Sequence, residues 1–184
     1  MPSIEMLSTT AAADEALVAE LTGLVNRVYA KAEEGLWVDG ATRTTPEEMA
    51  GLIAAGEIAA ARSGGSDGSD DQIVGSVRVQ QIDEVTGEFG MLVADPAHRG
   101  VGIGRDLVGF AEERFRRRGV PTMQLELLVP RDWTHPTKEF LDAWYTRIGY
   151  RPVRTGRIDD DYAHLAPLLA TPCDFVIYHK ALDG

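Results

Sequence analysis

The chain of 184 residues has one cysteine, Cys173, which excludes an internal disulfide framework and leaves no thiol spacing for a metal. Positive charge is scarce: 18 Lys and Arg stand against 29 Asp and Glu, a net charge of −11. That balance argues against nonspecific attraction to nucleic acid or anionic membranes. The one basic cluster, Arg114, Arg116, Arg117 and Arg118, closes a predicted helix, where cations meet the negative end of the dipole. Long hydrophobic runs are also missing. No stretch reaches the ~18 apolar residues of a membrane span. Met1 to Glu15 lacks the basic and apolar regions of a secretory signal. The chain therefore reads as a cytoplasmic globular protein with no nucleic-acid, membrane or metal partner. Its length suits one domain over residues 1–184.

Periodicity then divides the chain. Ile4 to Ser8 reads as a short strand, and Leu17, Leu21, Leu24, Val25 and Val28 fall on one helical face. Thr45-Pro46-Glu47-Glu48 opens a second helix, and Glu57 to Arg62 is strand-like. Residues 63–71, SGGSDGSDD, read as a flexible hairpin loop. Ile73, Gly75, Val77 and Val79 alternate with polar Ser76, Arg78 and Gln80, which predicts a strand with one buried face. A turn near Asp83 to Gly87 leads into a strand over Glu88 to Ala94. Ile103, Leu107, Phe110 and Ala111 have helical core spacing, and Met123 to Val129 reads as a buried strand. His135-Pro136 starts a helix with Phe140, Leu141, Trp144, Tyr145 and Ile148 on one side, stopped by Gly149. Tyr150 to Arg157 and Asp174 to Lys180 are the last strands, so the pattern is α/β with a mixed sheet.

Between the strand ending at Ala94 and the following helix lies His98-Arg99-Gly100-Val101-Gly102-Ile103-Gly104-Arg105. Glycines at alternate positions let a ligand approach the backbone and let N–H groups converge. A helix N-terminus adds orphan donors and the positive end of a dipole, so the run predicts a phosphate or pyrophosphate cradle flanked by Arg99 and Arg105. A Walker A loop needs Lys-Ser/Thr after its last glycine, where Arg105-Asp106 stands. The dinucleotide fingerprint needs two residues between its second and third glycines, and here there is one.

Arg99-x-x-Gly102-x-Gly104, led by Leu92-Val93-Ala94-Asp95-Pro96 and followed by Leu107-Val108, resembles the coenzyme A loop of the GNAT N-acetyltransferase superfamily. Trp144-Tyr145-Thr146-Arg147-Ile148-Gly149-Tyr150 resembles the later part of the same signature at the right separation. The resemblance implies the GNAT acyltransferase fold: a mixed central sheet of about seven strands, flanking helices, and a cleft where the fourth and fifth strands splay apart. It implies transfer of an acetyl group from acetyl-CoA to a primary amine, on a small molecule or a peptide, by direct attack in a ternary complex. No metal is implied, and homodimers are frequent in the family. A different acyl-CoA donor, or a noncatalytic CoA-binding sensor, is the alternative.

Residue by residue, the resemblance assigns the backbone of Leu92, Val93 and Ala94 to the pantetheine arm, and Arg99, Gly100, Val101, Gly102, Ile103, Gly104 and Arg105 to the pyrophosphate. Lys138 stands seven residues before Tyr145, where many members carry an asparagine that contacts pantetheine; a phosphate contact is the alternative for this lysine. An amine must lose a proton before it attacks a thioester, and Glu88 matches the position of a catalytic glutamate. Strand periodicity puts Glu88 on one face with Gly90 and Leu92, as general base or as a solvated charge. Glu126, inside an apolar strand, is the second candidate base. Tyr145 matches the proton donor to the departing thiolate, or else belongs to the core stripe of Leu141 and Ile148.

His98 is expected in solvent, His135 at its helix start, and Cys173 as a buried structural thiol, while His164 and His179 fit no triad spacing. On the acceptor side, Asp159 to Asp161 would suit a cationic amine and Arg43 a carboxylate-bearing one, with a solvated surface as the alternative for each.

Overall fold

The computed structural model describes residues 2–64, 72–98 and 100–182. Most of the predicted 63–71 loop, and Arg99, lie outside the described residues. The elements run β1 (Ser3–Met6), α1 (Glu15–Ala32), α2 (Pro46–Ala54), β2 (Ile58–Ser63), β3 (Gln72–Gln81), β4 (Thr86–Ala94), α3 (Ile103–Arg117), β5 (Thr122–Pro130), α4 (Pro136–Arg147), β6 (Arg151–Arg157), α5 (Ile158–Asp161) and β7 (Cys173–Ala181). The strands form a seven-stranded sheet in the order β1-β2-β3-β4-β5-β7-β6. Neighbours pair antiparallel except β4 and β5, which are parallel and joined through α3.

Local chemistry sets the helix starts. The Asp14 carboxylate accepts from the N–H groups of Ala16 and Leu17, both at 3.1 Å, and Thr45 Oγ1 accepts from Glu48 N–H at 3.2 Å. His135 Nδ1 accepts from Thr137 N–H at 3.2 Å, with Pro136 at the first helical position. Helix α3 begins at Gly102 with no side-chain cap.

The sheet is covered on both faces. Leu107, Ala111 and Phe115 of α3 and Tyr145 of α4 pack on Val77, Phe89, Met123 and Leu125. Leu21, Val25, Met49 and Ile53 of α1 and α2 pack with Ile58, Ile73, Met91 and Val93 in a second cluster. A third, smaller cluster of Leu36, Leu128, Ile158 and Cys173 joins the α1–α2 loop to β5 and the start of β7.

Two readings change. In β3 the pairing register to β2 shifts between Ala61 and Arg62, so Val74 is the extra residue. Ile73 then enters the α1–α2 cluster, while Val77 and Val79 enter the α3–α4 cluster, and Ser76 is buried. The single buried face predicted for this strand is replaced by burial on both sides, because β3 is central. Phe140 was expected on the buried side of α4 and is 63% exposed. Lys138, Leu141 and Tyr145 recur at helical spacing along the packed stripe, and Phe140 lies off it.

Candidate active site

The site begins with a break in strand pairing. β4 and β5 pair at Thr86↔Thr122, Gly87↔Met123 and Glu88↔Gln124, and no further. Beyond that rung β5 pairs with β7 as far as Pro130↔Cys173, and β4 pairs with β3 as far as Ala94↔Gly75. From Phe89 to Ala94, therefore, the edge of β4 facing β5 has no strand partner among the described residues. Free backbone N–H and C=O groups along a strand edge can pair with an extended amide chain.

A bulge shapes the same stretch. Ser76 pairs with Val93 and Arg78 with Gly90, so Val77 faces both Met91 and Leu92, and Met91 takes φ 46°. The bulge flips the alternation expected for this strand. Met91 and Val93 enter the α1–α2 cluster, while Leu92 and Ala94 pack against the α3–α4 cluster. Phe89 lies on the α3–α4 side, so its neighbour Glu88 points to the other face and does not share one with Leu92.

At the open end of the wedge the chain turns into α3. Gly100 and Gly102 have φ of +87° and +83°, where L residues are strained, and a Cβ on either would meet nothing within 4 Å. The space around the turn is open, and the first N–H groups of α3 lack a side-chain cap. Ile103, buried against the core, anchors the helix beneath, while Val101 and Arg105 are exposed. His98 does not lie free in solvent as expected: its Nδ1 is buried and has no hydrogen-bond partner among the described residues. An open turn with uncapped N–H groups and an unmatched ring nitrogen fits a phosphate or pyrophosphate group. A cleft of about 690 Å³ adjoins this end, between Arg27 and Lys31 of α1, Ala94–Pro96, and Trp133 to Thr137.

Tyr145 sits 6% exposed in an aromatic cluster, its ring 4.9 Å from Trp144, 6.0 Å from Phe89 and 6.1 Å from Tyr150. Its hydroxyl makes no hydrogen bond to a described residue. Burial, with smaller contributions from Tyr29 and Tyr178, pushes its pKa well above the usual phenol value, so it keeps its proton. The ring belongs to the core cluster, and the hydroxyl has no partner among the described residues. Glu88 accepts from Gln80 Nε2 and from Gln124 Nε2, each at 2.7 Å. Glu126, two residues further along β5 than Gln124, accepts from Tyr162 Oη at 2.6 Å.

Lys138 departs from its expected role. Its Nζ lies 2.6 Å from Glu33 Oε1, with both side chains buried, and the other Glu33 oxygen accepts from Trp37 Nε1 at 2.6 Å. An ammonium held this closely in a buried pair is not offered to a phosphate. It ties the end of α1 to the first turn of α4.

The sequence profile of the acetyltransferase (GNAT) family matches residues 25–150, more than half of the chain. The chain belongs to the GNAT family. Among curated proteins no match is found. Solved structures share the fold at low identity. One is the PaiA N-acetyltransferase of Thermoplasma acidophilum in complex with coenzyme A, 16% identical, TM-score 0.67, covering 98% of this chain and 99% of that one. Another is the ribosomal-protein-S18-alanine N-acetyltransferase of Escherichia coli, 16% identical, TM-score 0.64, covering 100% and 96%. A third, from the NatC complex bound to Gag peptide and CoA, is 15% identical with TM-score 0.67 and covers 99% of both chains.

In this GNAT chain the remaining candidates have structural places. Cys173 is buried, and burial pushes its thiol up to about 11, away from a thiolate nucleophile. His135 caps α4 and its Nε2 lies 3.1 Å from the Glu34 carbonyl. Among the described residues no group of three or more His, Cys, Asp or Glu is gathered for a metal, and no helix is long and apolar enough to cross a membrane. Sequence reasoning missed Glu33, Gln80, Gln124 and His179. Of these, Gln80 was visible only as a polar residue alternating in its strand, and His179 only as a histidine outside any triad spacing.

Proposed function

We propose that this chain transfers an acetyl group from acetyl-CoA to a primary amine, on a small molecule or a peptide, by direct attack in a ternary complex. The observation that carries the reading is the unpaired edge of β4 from Phe89 to Ala94, opening onto the positive-φ turn at Gly100 and Gly102. In this reading the backbone of Leu92, Val93 and Ala94 holds the pantetheine arm, and residues 99–105 hold the pyrophosphate. The donor supplies an activated thioester.

Glu88, acting through a water, takes the proton that the amine must lose, since a protonated amine has no lone pair to attack with. A backbone N–H of the free β4 edge donates to the carbonyl oxygen as negative charge builds on it. Tyr145 gives its phenolic proton to the departing sulfur, and its burial keeps that proton in place beforehand. The amine loses two protons in all, and one goes to Glu88 before attack. The second, shed as the C–N bond forms and the C–S bond breaks, restores the Tyr145 phenol after its own proton has gone to the thiolate. This leaves the amide, the CoA thiol and one proton on Glu88.

Calorimetric titration with acetyl-CoA, with NAD and ATP as controls, tests the donor site. Saturable binding of acetyl-CoA alone, followed by amine-dependent release of free thiol, is the expected result. Absence of binding would overturn the reading.

A further inference from the structure

We infer that Gln124 and His179 are positioning residues for Glu88, forming one arm of a hydrogen-bond line that holds this carboxylate at the apex of the cleft. The inference rests on the reading of Glu88 as general base. Its support is the sheet itself. Gln80 pairs in register with Glu88, Glu88 with Gln124, and Gln124 with His179, across four adjacent strands. Phe89, Met123, Leu125 and Tyr178 point into the α3–α4 core, so the polar row projects from the opposite face.

The bonds along this row have a direction. A carboxylate only accepts, so each glutamine must turn its amide nitrogen toward Glu88, as both do at 2.7 Å. Each amide oxygen is then left facing outward and needs a donor. On one side Arg78 Nη2 supplies it to Gln80 at 2.8 Å, with Arg78 itself held by Glu57 at 2.7 Å. On the other, His179 Nε2 lies 2.8 Å from Gln124 Oε1, which requires the Nε2–H form of the ring. Glu88 selects the nitrogen end of the Gln124 amide, and His179, by donating to the oxygen, holds the amide in that same orientation. Without His179 the Gln124 oxygen loses its donor, and the amide is anchored only at its Glu88 end.

The place of this row gives the line its consequence. Glu88↔Gln124 is the last paired rung before β4 and β5 part. Each Glu88 oxygen gives one lone pair to a glutamine, which leaves the carboxylate fixed with further lone pairs for a water. Arg78 brings a permanent charge to one arm. The other arm ends on a histidine that has Asp83 within electrostatic reach and Arg151 opposite it in register.

Steady-state kinetics on full-length variants tests the assignment, using an acceptor amine found by thiol release. Gln124→Leu should lower kcat by about tenfold or more while the KM for acetyl-CoA stays within about twofold. His179→Phe should lower kcat by about fivefold, and His179→Gln, which keeps an N–H donor, should restore most of it. In a Glu88→Ala background, Gln124→Leu should cost nothing further, which a merely structural role would not produce. Independent losses in that background, or an unchanged kcat in Gln124→Leu while Glu88→Ala is impaired, would overturn the inference and leave the base in place. An unchanged kcat in Glu88→Ala would remove the base, and the positioning role with it.

Discussion

On the glycine-loop side of the cleft, backbone polar groups lack partners among the described residues: the β4 edge beyond Glu88 and the uncapped start of α3. On the α1 side the polar side chains are instead paired with one another. Glu33 binds Lys138 and Trp37, and the Asn26 side chain brackets the backbone of Thr44 with two bonds of 3.0 Å. The α1–α2 loop is also joined to the segment before β7, through Val38 N–H to Leu168 O at 2.8 Å and Ala170 N–H to Leu36 O at 2.9 Å. A backbone-built site needs only the right φ values over a few consecutive residues. A side-chain site needs partners far apart in the chain, and any one of them can change its character.

That contrast is sharpest at Lys138. Lys138→Met leaves the Glu33 carboxylate buried without its cation, and should cost about 3–5 kcal/mol in denaturant unfolding. Adding Glu33→Gln should recover most of that loss; a cost near zero for the single variant would mean that the two halves of the cleft are not tied in this way. On the backbone side, Gly102→Asp puts a strained residue and a carboxylate into the turn, and should weaken acetyl-CoA binding by at least about a hundredfold in calorimetry. Gly102→Ala keeps the open space and adds only the strain of its positive φ, about 1–2 kcal/mol. Equal losses in both variants would assign the effect to strain alone and remove the anion argument.

Tyr145→Phe tests a side chain at the junction of the two sides. Its hydroxyl has no partner among the described residues, so unfolding stability should be preserved while kcat falls by about a hundredfold and the acetyl-CoA Kd stays constant. Unchanged turnover would return Tyr145 to the core. The smallest effect concerns Cys173, whose thiol is raised from 9.0 to about 11 by burial. The folded state holds this proton more tightly than the unfolded state does. Stability from this group is therefore complete below pH 9.0 and is lost as pH rises toward about 11. Cys173→Ala should flatten the first part of that alkaline limb in thermal unfolding; an identical limb would mean that the thiol is not buried in solution.

Much of this was readable in the residues. Thr45-Pro46 and His135-Pro136 mark helix starts, and both helices begin there, because caps depend on atoms two or three residues away. The glycine run was equally local: Gly100 and Gly102 take the positive φ that a convergent N–H turn requires. The facing of β4 was not readable, since the bulge at Met91 arises from its pairing with β3 and reverses every later side chain. Lys138 was misread because its partner lies 105 residues earlier, on another helix.

By itself the sequence determined the order of the main strands and helices, the positive-φ glycine turn and the family resemblance, because each is written in neighbouring residues. Only the tertiary structure decided where β4 parts from β5, which face Glu88 occupies, and which charges are paired within the cleft. Those depend on strand register and on contacts between distant segments, and a shift of one residue in register turns a side chain from one face of the sheet to the other.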